Sequence, residues 1–132
     1  MALYAYTSNS QTVAADGLVV LAQALRRGHS ASLGGSGVVL NRPSSFYVVS
    51  VSATGSTTAA GEFGIAARVD GAPAPSAVAM QEVATAGDLA NVAFTFGVVT
   101  DASLCDHPTV TLVNPGDAAT YESVSVTVQR LD

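Results

Sequence analysis

Short runs of strictly alternating side chains, rich in Val and Thr and ended by Gly, Pro, Asn or Asp, recur along the whole chain. Such alternation puts successive side chains on opposite faces of an extended strand, so it calls for β structure with at least one covered face. The clearest run spans 121–130. Glu122, Val124, Val126, Val128 and Arg130 share one side; Tyr121, Ser123, Ser125, Thr127 and Gln129 share the other. This pattern predicts a half-buried strand with one apolar and one hydroxyl-rich face. A second run covers 46–53, with Tyr47, Val49, Val51 and Ala53 opposite Phe46, Val48, Ser50 and Ser52. A third, 63–70, turns Phe63, Ile65, Ala67 and Val69 inward and ends in the turn-forming Asp70-Gly71-Ala72-Pro73. Residues 89–99 carry Val92, Phe94, Phe96 and Val98 on one apolar side, and 109–113 close at Asn114-Pro115-Gly116-Asp117.

Weaker strands are expected at 3–7, 11–15, 38–41 and 77–84. The stretch 18–27 fits a helical stripe through Leu18, Leu21, Ala22 and Leu25 as well as a strand; its β surroundings favour the strand. The Gly- and Ser-rich piece 30–37 reads as a turn. Its Gly34-Gly35-Ser36-Gly37 run lacks the following Lys and helix of a phosphate loop. Some nine or ten short strands with regular turn signals predict an all-β antiparallel sandwich or barrel. No shift in composition marks a second domain, so one domain over 1–132 is expected.

Charge sets further bounds. Charged residues are 11% of the chain, there is no Lys, and the net charge is −5. Nucleic acid and anionic membranes both need a basic patch, so neither is expected as a partner. A surface this poor in charge is covered by Ser and Thr hydroxyls, buried in an oligomer, or both; both are expected here. The single cysteine, Cys105, rules out an intramolecular disulfide and a Cys-based zinc cluster. The first residues lack the positive and apolar regions of a signal peptide, so synthesis in the cytoplasm without one is expected. No apolar run is long enough to predict a transmembrane helix.

The segment Asn41-Arg42-Pro43-Ser44-Ser45-Phe46-Tyr47-Val48-Val49-Ser50-Val51-Ser52-Ala53 resembles the N-x-P-G-x-Y-x-V-S-x-S strand of the tumour-necrosis-factor-like and complement-head-like jelly rolls. The resemblance continues in order. Residues 63–71 followed by Ala72-Pro73 resemble the family's L-x-V-N-G-x-P-V-P turn, and Ala86-Gly87-Asp88-Leu89 its A-G-D turn. Thr111-Leu112-Val113-Asn114 with 123–131 resembles its closing T-L-x-N and A-S-L-T-V-x-x-L strands. Ser44-Ser45 stands where the family has Gly before its aromatic residue. The bacterial and phage members resembled are heads of collagen-like exosporium glycoproteins and small stand-alone phage proteins. The resemblance implies a jelly roll of about ten strands that assembles as a tight homotrimer. It also implies that the first strand, the Phe46 strand, the 89–99 strand and the last strand share one sheet facing the three-fold axis.

The residues offer a trimer argument of their own. Tyr4 and Tyr6 alternate with Leu3 and Ala5, and Phe46 and Val48 lie opposite Tyr47 and Val49, so these strands are apolar on both faces. A strand apolar on both faces has to be covered on both. The interface set expected on this basis is Tyr4, Tyr6, Phe46, Val48, Phe94, Phe96, Val124, Val126 and Val128.

Ligand-type side chains cluster only at Asp101, Cys105, Asp106 and His107. Spacing supplies neither the orienting group nor the oxyanion hole of a Cys/His catalyst. Asp101, Cys105 and His107 are the candidate metal ligands, and a surface loop is the favoured reading. Asp16, Asp70, Asp88, Asp101, Asp106 and Asp117 lack calcium-loop spacing and fit turn chemistry. Arg26, Arg27 and His29 read as a solvated turn. Neither catalytic residues nor cofactors are expected. The function expected is non-enzymatic: a trimeric head or decoration module on a phage or prophage particle, joined to a capsid, fibre or collagen-like shaft. The alternatives are a carbohydrate- or receptor-binding head using loops 55–61 and 101–107, and a structural protein of a spore or cell surface.

Overall fold

The computed structural model describes residues 2–7, 9–34, 37–101 and 107–131. They form twelve strands: β1 (Ala2–Tyr6), β2 (Gln11–Val13), β3 (Leu18–Val19), β4 (Gln23–Arg27), β5 (Ala31–Leu33), β6 (Val38–Leu40), β7 (Phe46–Thr57), β8 (Gly61–Val69), β9 (Ala72–Val83), β10 (Ala90–Val99), β11 (Thr109–Val113) and β12 (Ala119–Arg130). Sheet A runs β10-β7-β12-β1-β4, with β2 continuing beside β12. Sheet B runs β5-β6-β11-β8-β9, with β3 beside β11. Every pairing is antiparallel. The first strand, the Phe46 strand, the 90–99 strand and β12 do share one sheet.

Most strong sequence signals become long strands, and the ambiguous 18–27 stretch contains β3 and β4. The turn expected at Asp70 is a two-residue hairpin loop. Val69 pairs with Ala72, and Asp70 and Gly71 both take positive φ (52° and 85°). That is the primed turn whose twist matches its strands, and Gly71 adopts it without a Cβ penalty. Two expectations change. Part of the 30–37 turn is strand β5, which pairs with β6, and the Gly34 N–H donates to the Gly37 carbonyl. The strand expected at 77–84 begins at Ala72, because Pro73 and Pro75 sit in sheet B's edge strand, where a missing N–H is tolerated.

The interior lies between the two sheets. Sheet A contributes Leu3, Ala5, Tyr47, Val49, Val51, Ala53, Val92, Phe96 and Val98; sheet B contributes Phe63, Ile65, Ala67, Val110 and Leu112. Val124, Val126 and Val128 are at most 1% exposed and Phe96 is 6% exposed. These four were expected at an interface between copies. They are instead the inner face of sheet A, already covered by sheet B, so no second chain can reach them. Phe94 is half-buried, packs on Phe96 at 5.8 Å between ring centroids, and belongs to the same inner side.

The 121–130 run also changes phase. A β-bulge between Tyr121 and Ser123 shifts the register against β7. Tyr121, expected on the hydroxyl face, is thereby turned inward and is fully buried, and Glu122 is exposed. Across the interior the Tyr121 hydroxyl donates to the Gly64 carbonyl of β8, and its ring tilts against Phe63. Burial pushes the phenol well above its usual pKa, which keeps this donor protonated. Opposite the bulge only Gly fits at position 55, since a Cβ there would collide with the Thr120 carbonyl oxygen.

Tyr47 fastens the other end. Its hydroxyl donates to the Ser30 carbonyl at 2.7 Å and accepts from the Arg42 N–H at 3.2 Å. Tyr47→Phe leaves both groups without this partner and should cost about 1–3 kcal/mol. The expected readout is a lower urea midpoint with an unchanged slope.

Candidate functional site

The outward side of sheet A carries the feature that the interior does not explain. Its strands are in continuous register, so its surface can be read in rows from β10 to β1. Asn91, Thr54 and Ser123 form one row. Ala93, Ser52, Ser125 and Tyr6 form the next. Thr95, Ser50, Thr127 and Tyr4 follow, and then Gly97, Val48, Gln129 and Ala2. None of these outward side chains is charged. Strands with hydroxyls on one face and Val on the other produce this surface directly, because the apolar face is taken by sheet B.

The hydroxyls bond across strands. Ser50 and Thr95 Oγ atoms lie 3.1 Å apart, and Asn91 Nδ2 donates to Thr54 Oγ1 at 2.6 Å. Ser50, Ser52, Thr95, Ser125 and Thr127 line a shallow groove of about 330 Å³. Beside it the Tyr4 and Tyr6 rings stack with centroids 5.3 Å apart, on one side of β1. Tyr4 is 43% exposed and registers with Leu25 of the edge strand β4, itself 63% exposed. At one end of the face Phe46 lays its ring over Gly97, where any Cβ would clash with it. Phe46 pairs with Val99, which is 73% exposed. Tyr4, Leu25, Phe46 and Val99 are thus large apolar side chains exposed on a face whose central rows hold no charge. Charge returns at the margins, with Arg27 on β4 and Glu122 at the bulge.

Of the expected interface residues, this face brings together Tyr4, Tyr6, Phe46 and Val48. It adds Leu25 and Val99, which sequence reasoning passed over. Both follow Tyr4 and Phe46 in strand register, a relation that no local pattern contains.

The loop candidates are a different case. Asp101 and His107 are exposed, and Cys105 and Asp106 lie outside the described residues. Among the described residues no group of three His, Cys, Asp or Glu side chains is placed to hold a metal ion. Three loop aspartates are engaged in closing turns. Asp70 Oδ1 accepts from the Thr109 N–H, Asp117 Oδ2 accepts from the Glu62 N–H, and the Asp16 N–H donates to the Asn114 carbonyl. Arg26 and Arg27 lie on β4 and His29 in the β4–β5 turn, all exposed. Among the described residues no helix is long and apolar enough to cross a membrane.

Solved structures share the architecture. Eiger TNF from S. frugiperda superposes with a TM-score of 0.73 at 13% identity, covering 100% of this chain and 93% of that one. Murine APRIL gives 0.63 at 12% identity, with 97% of each chain covered. The PRD1 vertex protein P5 gives 0.57 at 13% identity, covering 99% of this chain and 73% of that one. The fold is therefore a TNF-like jelly roll. No protein-family model matches the sequence, and no curated protein is similar to it in sequence.

Proposed function

We propose that the chain is a non-catalytic building block: a homotrimeric jelly-roll head or decoration module on a phage or prophage particle. The observation that carries this reading is the uncharged outer face of sheet A with its Tyr4–Tyr6 stack, in which Tyr4 is exposed and Tyr6 half-buried. Three copies arranged about an axis bury this face against one another. Hydroxyls at its centre keep hydrogen-bond partners within the sheet, and the aromatic and aliphatic side chains supply the buried area. An obligate assembly of this kind buries on the order of thousands of Å². Fold alone does not assign a role. The particle reading draws support from the fold likeness to the PRD1 vertex protein P5, and the trimer from the sequence resemblance described above. Sheet B and the loops stay outward, available to a capsid, fibre or shaft.

Light scattering at low and high concentration tests the assembly. The expected mass is three times 13.2 kDa at every concentration. A 13.2 kDa species throughout would sink the reading and leave the outer face of sheet A as a ligand surface.

A further inference from the structure

Sheet B holds a second feature, independent of any assembly through sheet A. On the outward side of β8 and β9 the ladder is interrupted. Ala66 pairs with Val78 and Arg68 with Pro73, so four residues of β9, 74–77, stand opposite the single β8 residue Ala67. The inserted arch contains Pro75 and places Ser76 at φ 59°, a left-handed conformation that non-glycine residues seldom adopt. Its Ala77 is buried and Ala74 half-buried, so the arch folds back onto the sheet. A strained backbone of this kind is kept where the surrounding structure holds it, and such segments gather at ligand sites.

Beneath the arch lies a cleft of about 270 Å³. Ala66, Ala74, Val78, Val113 and Pro115 line it, all small or branched and apolar. Arg68 also lines it. This is the only Arg, and in a Lys-free chain the only permanently cationic side chain, on the strands of sheet B. It is half-buried, and among the described residues no side chain bonds or pairs with its guanidinium. A guanidinium beside an apolar cleft suits a carboxylate, because its planar donors match two carboxylate oxygens. At the other end stands exposed Asp16, the remaining charged residue lining the cleft. Asp16 is fixed by its N–H bond to the Asn114 carbonyl, whereas Arg68 registers with Thr111. Thr111 and Asn114, the residue just past β11, are three positions apart, about 10 Å of extended chain.

We propose that this cleft binds a small amphoteric ligand: an apolar chain with a carboxylate at one end and an ammonium at the other. The carboxylate pairs with Arg68, the methylenes lie over Ala66 and Val113 under the arch, and the ammonium meets Asp16. Asp16 disfavours a plain anion and so sets the preference for a ligand with both charges.

The test is a nuclear magnetic resonance titration of the isotope-labelled chain with ε-aminocaproate, caproate and hexanol in parallel. The expected result is saturable movement of the Ala66, Arg68, Val78 and Val113 amides by ε-aminocaproate. Caproate should bind several-fold more weakly and hexanol about tenfold or more so. Arg68→Gln should weaken ε-aminocaproate at least about tenfold with no change in thermal unfolding. Asp16 itself sits at φ 63°, a backbone that Asn also suits, so Asp16→Asn should bring ε-aminocaproate and caproate to equal affinity. No saturable movement of these amides, or equal binding of hexanol and ε-aminocaproate, would overturn the proposal. Mass by light scattering reports separately on the trimer.

Discussion

Phe96→Asp should yield a chain that does not fold. Phe96 sits inside the sandwich at 6% exposure, paired with Val49 and packed on Phe94. An aspartate there is either ionised in an apolar interior or protonated without a partner, and each state costs several kcal/mol. The lost ring adds about 3–5 kcal/mol of cavity and transfer terms. A domain of this size has only about 5–15 kcal/mol to lose. Circular dichroism and limited proteolysis should show loss of the β signal and rapid digestion. Phe96→Leu should remain folded with a modestly lower melting point. A Phe96→Asp variant as stable as the parent would mean that Phe96 does not lie between the sheets.

The chain with both Tyr4→Glu and Tyr6→Glu should instead fold and fall apart into single copies. Both side chains project from the outer side of β1, where Thr127, Ser125, Leu25 and Gln23 are their registered neighbours and none is acidic. In a lone chain the new carboxylates are solvated and cost the sandwich little. In a trimer every copy brings two like charges into a dehydrated contact, and the stacked rings are gone. The expected readout is a β spectrum like that of the parent with a mass of 13.2 kDa. An unchanged trimer would move the interface to another face of the sandwich. An unfolded product would show that the two rings belong to the single-chain core.

These two variants separate what alternation can tell from what it cannot. A period of two divides a strand's side chains into two sets, and the sets at 46–53, 63–69 and 124–128 are the sets seen in the structure. Which set meets the opposing sheet depends on partners far along the chain. Val124, Val126 and Val128 form an apolar face whether that face looks inward or at another copy. The inward answer comes only from sheet B lying over it. Tyr121 escaped for a sharper reason. One bulged residue reverses the phase of everything before it, and Glu122 looks locally like any other strand residue. The three-residue β5 is too short for periodicity to register. The Arg68 cleft was equally hidden, because it is built where β9 departs from the pairing that a regular pattern assumes. Turn chemistry was legible because it is local: Asp70-Gly71 closes its hairpin as its residue types require.

Strand β12 lies between β7 and β1, near the middle of sheet A, although it comes after all the other strands in sequence. Leu3 therefore waits for Val128, and Val49 for the same residue from the other side. While the chain is being synthesised, β7 and β1 each present an open edge, and β1 has no neighbour but β4. Loop-closure entropy is lost before most of these distant pairings can repay it, a topology that folds slowly. The growing chain thus passes through an interval in which two strand edges and the Val-rich interior are exposed together, the condition that invites aggregation. Insertion of one strand ends that interval, so sheet A is completed in a single late step rather than strand by strand.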